Sequence, residues 1–294
     1  KGVATHAIIV ADKATGENGG VLKGAQATFP NALWWVKDRA NANNHQLVDS
    51  VRGGNLVLQS NTQNVETSYV APSGSSVAWC WKPSSAAGFE ILTGAGGTPV
   101  NHNLGVAPEF VLFKYRQVVG SDWNVYHADV TSTTQRLKLN STDGVENIGT
   151  SWTINSTQFG YGGGSADWVA YLWRSVPGYS AFGSYVGNGN NDGPFVPLNF
   201  RPAVVLTKRT NSTSNWILLD NKRDVDNPVE NWLRPNSSGI EASTGPDLDI
   251  DFLANGFKVR NNATDQNISG STYVYMAFAE HPFGASNVSP SPAR

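Results

Sequence analysis

Pro108-Glu109-Phe110-Val111-Leu112-Phe113-Lys114-Tyr115-Arg116 decides the fold, because the same pattern occurs three times. A proline opens a run of β-branched and aromatic residues that ends on basic side chains. Pro30-Asn31-Ala32-Leu33-Trp34-Trp35-Val36-Lys37-Asp38-Arg39 precedes it, and Pro202-Ala203-Val204-Val205-Leu206-Thr207-Lys208-Arg209 follows. Such residues suit a pleated, half-buried surface, and proline is tolerated where a strand begins. Working outward, each copy continues through a polar turn into a second strand: His45–Asp49, Trp123–His127 and Trp216–Asp220. A third element follows in each, at Leu56–Ser60, Leu137–Ser141 and Trp232–Asn236. Each copy then closes on an apolar strand, at Val77–Lys82, Val169–Arg174 and Val274–Ala279, with a proline soon after. Four matched elements in one order, three times over, mark an internal triplication.

The repeat is roughly 80 to 100 residues long, about the size of one small β-sandwich. The reading is therefore all-β: tandem antiparallel β-sandwich modules in three related copies. Modules are expected at 1–82, 83–176 and 177–284, followed by an exposed tail at 285–294. The first copy is short between its third and closing elements. The other two carry an extra strand there, around Trp152-Thr153-Ile154 and Gly256-Phe257-Lys258-Val259. Thirty glycines and fifteen prolines punctuate the 294 residues, so helical periodicity of useful length is not expected.

Only 15% of residues are charged, with net charge −2. A typical domain carries about 25% charged residues, so Asn, Ser, Thr and Gly must furnish this surface. Without a basic stripe the chain is not expected to bind nucleic acid, and no apolar run predicts membrane insertion. The lone Cys80 excludes an intrachain disulfide and a multi-cysteine zinc site. Alternating with Trp79 and Trp81, it should face the opposite side of its strand as a small core residue.

The basic strand ends and the acids of the next strands recur together. Lys37 or Arg39 could face Asp49, and Lys208 or Arg209 could face Asp220. Arg52 and Arg223 lie three residues beyond those acids, and the second copy has His127 instead of an acid. Recurrence in every module points to register-fixing polar clusters, not to one catalytic site. No catalytic residue, metal site or cofactor is expected. The histidines are not spaced as metal ligands. Asp192-Gly193 and Asp247, Asp249 and Asp251 could chelate calcium, but the glycine and distal glutamate of an EF-hand are missing. Gly162-Gly163-Gly164 and Gly187-Asn188-Gly189 read as turns, since neither leads into a helix that would hold phosphate. Trp34, Trp79, Trp81, Trp123, Trp173 and Trp216 repeat in strand positions and belong to the core. The contact candidates are loop residues instead: Tyr115, Tyr161, Tyr185, Asn188, Asp192 and Phe195, where exposed rings would stack on sugars and amides would bind hydroxyls.

Several stretches carry a resemblance. Trp35–His45 running on to Gly53, Val77–Lys82, Val176–Val196, Phe200–Thr210 and Tyr275–Phe283 together resemble a module of bacteriophage tail-fibre proteins, above all those of marine phages. The resemblance implies a virion protein at the particle surface, a tail fibre that touches the host, with no established catalytic residues. Its expected partners are other virion proteins and a host-surface glycan or protein. A homotrimer is expected, as fibres are commonly trimeric. Alternatives are a purely structural capsid decoration or head fibre, and a polysaccharide-degrading tailspike, which the weak carboxylate pattern disfavours.

Overall fold

The computed structural model describes residues 5–11, 20–162, 164–242 and 248–281. The tail at 285–294, Asp247 and Gly163 lie outside them. The first copy contains β1 (His6–Ala11), α1 (Gly20–Thr28), β2 (Leu33–Asp38), β3 (Gln46–Asp49), β4 (Leu56–Gln59), β5 (Thr67–Ser68) and β6 (Ser76–Trp81). The second contains β7 (Phe89–Ala95), β8 (Val100–Asn101), β9 (Phe110–Tyr115), β10 (Asn124–His127), β11 (Gln135–Lys138), β12 (Glu146–Asn147), β13 (Trp152–Ile154), β14 (Gln158–Tyr161) and β15 (Asp167–Trp173). The third contains β16 (Ser180–Val186), β17 (Phe195–Pro197), β18 (Pro202–Arg209), β19 (Trp216–Asp220), β20 (Ile250–Leu253), β21 (Gly256–Val259) and β22 (Thr272–Ala279).

The three large sheets share one strand order. They run β1-β6-β2-β3-β4-β5, then β7-β15-β9-β10-β11-β12, then β16-β22-β18-β19. In each, the closing strand lies between the first strand and the proline-led strand, all antiparallel. The registers match too: Trp35 pairs with Trp79, Leu112 with Tyr171 and Leu206 with Met276. In the third copy, Pro235 ends the third element early, and only a Leu218–Leu233 bridge remains of that strand pairing.

Both faces of each sheet are buried, for different reasons. Alternate residues point to opposite faces. The inward set meets in a single core contributed by all three sheets, including Trp35, Trp79 and Trp81, then Phe110, Tyr171 and Trp173, then Leu206, Met276 and Phe278. At its centre the closing strands meet: Trp81 lies 6.1 Å from Trp173 and 5.6 Å from Phe278, ring centroid to centroid. Phe110 and Phe182 stack across the second and third sheets at 5.8 Å.

The outward set is covered locally. In the second copy, a small sheet β13-β14-β8 covers Val111, Phe113 and Leu172; in the third, β17-β21-β20 covers Val205, Ile217 and Leu219. The extra strands expected from the sequence are the hairpins that build these covers. The first copy lacks that hairpin, and α1 takes part of its place. Val21, Leu22 and Ala25 pack on Trp34, Val36, Ala78 and Cys80. The sequence predicts no helix of useful length, and this one is short. It has nine residues and is preceded by Gly19, and a helix so short is held by packing and not by propensity. Cys80 does face away from Trp79 and Trp81, buried under the helix.

One shared core predicts one unfolding event. Calorimetry should show a single transition, and Trp173→Ala, by emptying the centre, should destabilise the whole protein by about 3–5 kcal/mol. Separate melting of one copy would contradict the shared core.

Candidate functional site

The repeated polar residues lie where one sheet meets the next. Asp49 ends β3, and its backbone turns so that Arg52 N–H donates to Asp49 Oδ1 at 2.8 Å. The Arg52 guanidinium pairs with Asp49 and, at 2.7 Å, with Glu66, which also pairs with Arg116 of the second copy at 2.7 Å. Tyr171 of the second copy donates to Asp49 at 2.8 Å. The third copy builds the same cluster against the first. Arg223 pairs with Asp220 at 2.6 Å and Glu241 at 2.8 Å, Glu241 binds Arg39 at 2.7 Å, and Trp79 Nε1 donates to Asp220 at 3.1 Å. Asp49, Asp220 and their arginines are all buried. Burial pushes the Glu241 carboxyl up, but the Arg39 and Arg223 guanidiniums outweigh it and hold the group below its usual range.

The acids thus pair with arginines three residues on, and not with Lys37, Arg39, Lys208 or Arg209 as the strand order suggested. The antiparallel register is the reason. Asp49 stands opposite Leu33, at the start of β2, while Lys37 is at its far end. There the three strand-end lysines are buried and donate to backbone carbonyls: Lys37 to Asp38, Asn41 and Ser238, Lys114 to Ser121, and Lys208 to Thr142 and Arg209. Burial lowers all three, Lys37 and Lys114 to about 8 and Lys208 to about 7.

At the second seam the acid–arginine cluster is replaced. The strand facing it presents Met276, which has no donor where its counterparts have Tyr171 and Trp79, and His127 replaces the acid. His127 Nδ1 accepts from Asp129 N–H at 3.2 Å, leaving Nε2 to donate to the Tyr275 carbonyl at 3.3 Å. Val145 replaces Glu66 and Glu241. Yet the backbone contact is kept at all three seams: Glu66 N–H to Arg116 O, Val145 to Thr210, and Glu241 to Arg39, at 2.8, 2.7 and 2.9 Å. The three contacts run from each copy to the next and close the ring.

The sequence candidates divide. Tyr115, Tyr161 and Tyr185 were expected on exposed loops, and the structure corrects this: all three are strand residues, buried on outward faces. Tyr161 packs 4.5 Å from Trp152, Tyr115 against Phe113, and Tyr185 stacks at 5.1 Å on Tyr273. The small covering sheets bury them, and strand alternation alone does not reveal that cover. Asn188, Asp192 and Phe195 are exposed and neighbouring. Asn188 bonds Asp192 O and the buried Asn267 amide, which fixes the loop. Of the acids considered for calcium, Asp192 pairs with Lys258 at 2.8 Å and Asp251 with Arg260 at 3.1 Å. No group of three metal-ligating side chains occurs among the described residues.

Two clefts on the surface of the described residues bear on function. One of about 390 Å³ joins the first two copies, and its Lys138 pairs with both Asp122 and Asp143. The other, of about 400 Å³, lies on the outward face of β3, β4 and β5, among Asn44, Gln46, Val57, Gln59, Thr67 and Val70. Sequence reading missed it. Its one sequence signal is the missing hairpin of the first copy beside the run Asn41-Ala42-Asn43-Asn44.

Fold and seams define a class: an internally triplicated all-β scaffold whose repeated charges hold sheets together. The chain belongs to the family described as Domain of unknown function (DUF7483), whose model matches residues 13–75 and 67–282. No curated protein matches it. No helix among the described residues is long and apolar enough to cross a membrane.

Two expectations test the seams. Asp220→Ala leaves Arg223 buried beside a lost partner and should cost about 3–5 kcal/mol in urea unfolding, much of it recovered when Arg223→Met is added. The second concerns acid. Burial holds His6 and His127 at about 4 and His45 well below its ordinary 6.5. Between 6.5 and 4 the unfolded chain therefore binds protons that the folded one refuses, so stability should fall as pH falls through that window. Urea midpoints between pH 7 and 4 should show this, with a shallower slope for His127→Asn.

Proposed function

We propose that this chain is an adhesive and structural part of a bacteriophage virion, a tail-fibre segment at the particle surface that contacts a host-cell glycan or protein. The virion assignment rests on the resemblance of its ordered motifs to tail-fibre modules. The observation that carries the adhesive reading is the use of the seam charges. The buried carboxylates Asp49 and Asp220 and the half-buried Glu66 and Glu241 are each tied to a guanidinium. A glycosidase needs two carboxyl groups held at different acidities and open to substrate. Here the recurring acids serve rigidity, and with only 15% charged residues the rest of the chain relies on amides and hydroxyls for contact. A stiff body with several weak contact sites gains strength through repetition along a fibre, which fits the homotrimer and the other virion proteins proposed as partners.

The soluble chain should bind surface polysaccharide or intact cells of its host and release no new reducing ends from that polysaccharide. Reducing ends would favour the tailspike reading. Silence towards both cells and polysaccharide would favour a purely structural decoration.

A further inference from the structure

The three copies differ most on the outward face of the first. In the second copy, hairpin β13–β14 lies over the outer face, and Tyr161 reaches Asn124 of β10. In the third, Ile217 and Leu219 of β19 are covered by Phe252 and Phe257 of β20–β21. The first copy has neither. Its helix packs mainly on β1, β2 and β6, and Val48 and Val57 are buried in the same cluster. Beside them a surface cleft of about 400 Å³ lies over β3, β4 and β5, within the range of small-ligand sites.

Its walls are fixed by the protein itself. The Asp38 carboxylate accepts from Ala40 and Asn41 N–H and the Asn41 and Asn43 amides on one side, and from Gly74 N–H on the other. The Gln46 amide latches the opposite lip, donating to Val70 O at 2.9 Å and accepting from Val70 N–H at 3.4 Å. A cleft set beforehand loses little entropy on binding. The lining residues carry no formal charge. Asn44 Nδ2, Gln59 Nε2 and the hydroxyls of Thr67 and Ser73 make no hydrogen bond among the described residues, while Val70 and Pro72 supply an apolar patch.

We propose that this cleft binds an uncharged saccharide: free amides and hydroxyls for its hydroxyl groups, the valine and proline surface for its C–H face, and no cation to favour an acidic sugar. The inference rests on the adhesive reading above and gives that reading a place and a ligand class. An acidic polysaccharide would need a partner charge, which this lining does not offer.

The test uses the whole chain on an array of neutral trisaccharides of glucose, galactose, mannose and N-acetylglucosamine beside sialylated and uronic-acid glycans, followed by calorimetric titration. At least one neutral sugar should bind. Gln59→Ala and Thr67→Val, each removing one free hydrogen-bonding group, should weaken it up to about tenfold. Thr67→Trp, on the cleft side of the exposed edge strand, should abolish binding while the melting temperature holds. Binding of acidic glycans alone, binding of none, or binding that survives Thr67→Trp would overturn the proposal. Attachment to a panel of bacterial cells separates the two readings. Attachment kept by Thr67→Trp removes the cleft but not adhesion, and no attachment by the unaltered chain removes adhesion itself.

Discussion

The central constraint is that three sheets must bury one face each against a common centre. Trp81, Trp173 and Phe278 stand at the same register position of the three closing strands and meet there. Each closing strand is thereby flanked on both sides, one strand in from the edge of its own sheet, and the outward faces are left to be covered separately. The covers can differ because the core does not depend on them. A nine-residue helix serves once, and a three-stranded sheet serves twice.

The seams show how a repeat drifts without losing its geometry. The acid at the end of the second strand is kept where the opposing strand offers Tyr171 or Trp79 as donor. Where it offers Met276, a carboxylate would be buried with too few donors, at a cost of several kcal/mol. A neutral histidine that donates to a backbone carbonyl avoids that cost. The glutamate that links two arginines is replaced by Val145 at the same seam, yet the backbone hydrogen bond beneath it persists. Side chains change together while the main chain stays. The copies differ likewise on the outer faces, where the first has a helix and a surface cleft in place of the hairpin of the other two.

Much of this was legible from residues alone. The triplication, the all-β class, the extra strands of the later copies and the core position of Trp79 and Cys80 follow from alternation and repeated order, which are local properties. The acid–arginine pairing was half legible. The recurrence of Asp49 and Arg52 with Asp220 and Arg223 was visible, but the partner was not, because register decides which strand end meets which. The exposure of tyrosines was misread for a related reason. Tyr115, Tyr161 and Tyr185 sit near glycine and asparagine turns, and only the small sheets above them bury their rings.

The sequence by itself determined the elements and their threefold order, since side-chain period, proline position and turn chemistry act within a few residues. Only the tertiary structure decided that the three inner faces form one core, that the recurring charges meet across seams, and that the outer faces have different covers. Each depends on contacts between residues far apart in the chain, and no local pattern records which distant surface will arrive to cover a given face.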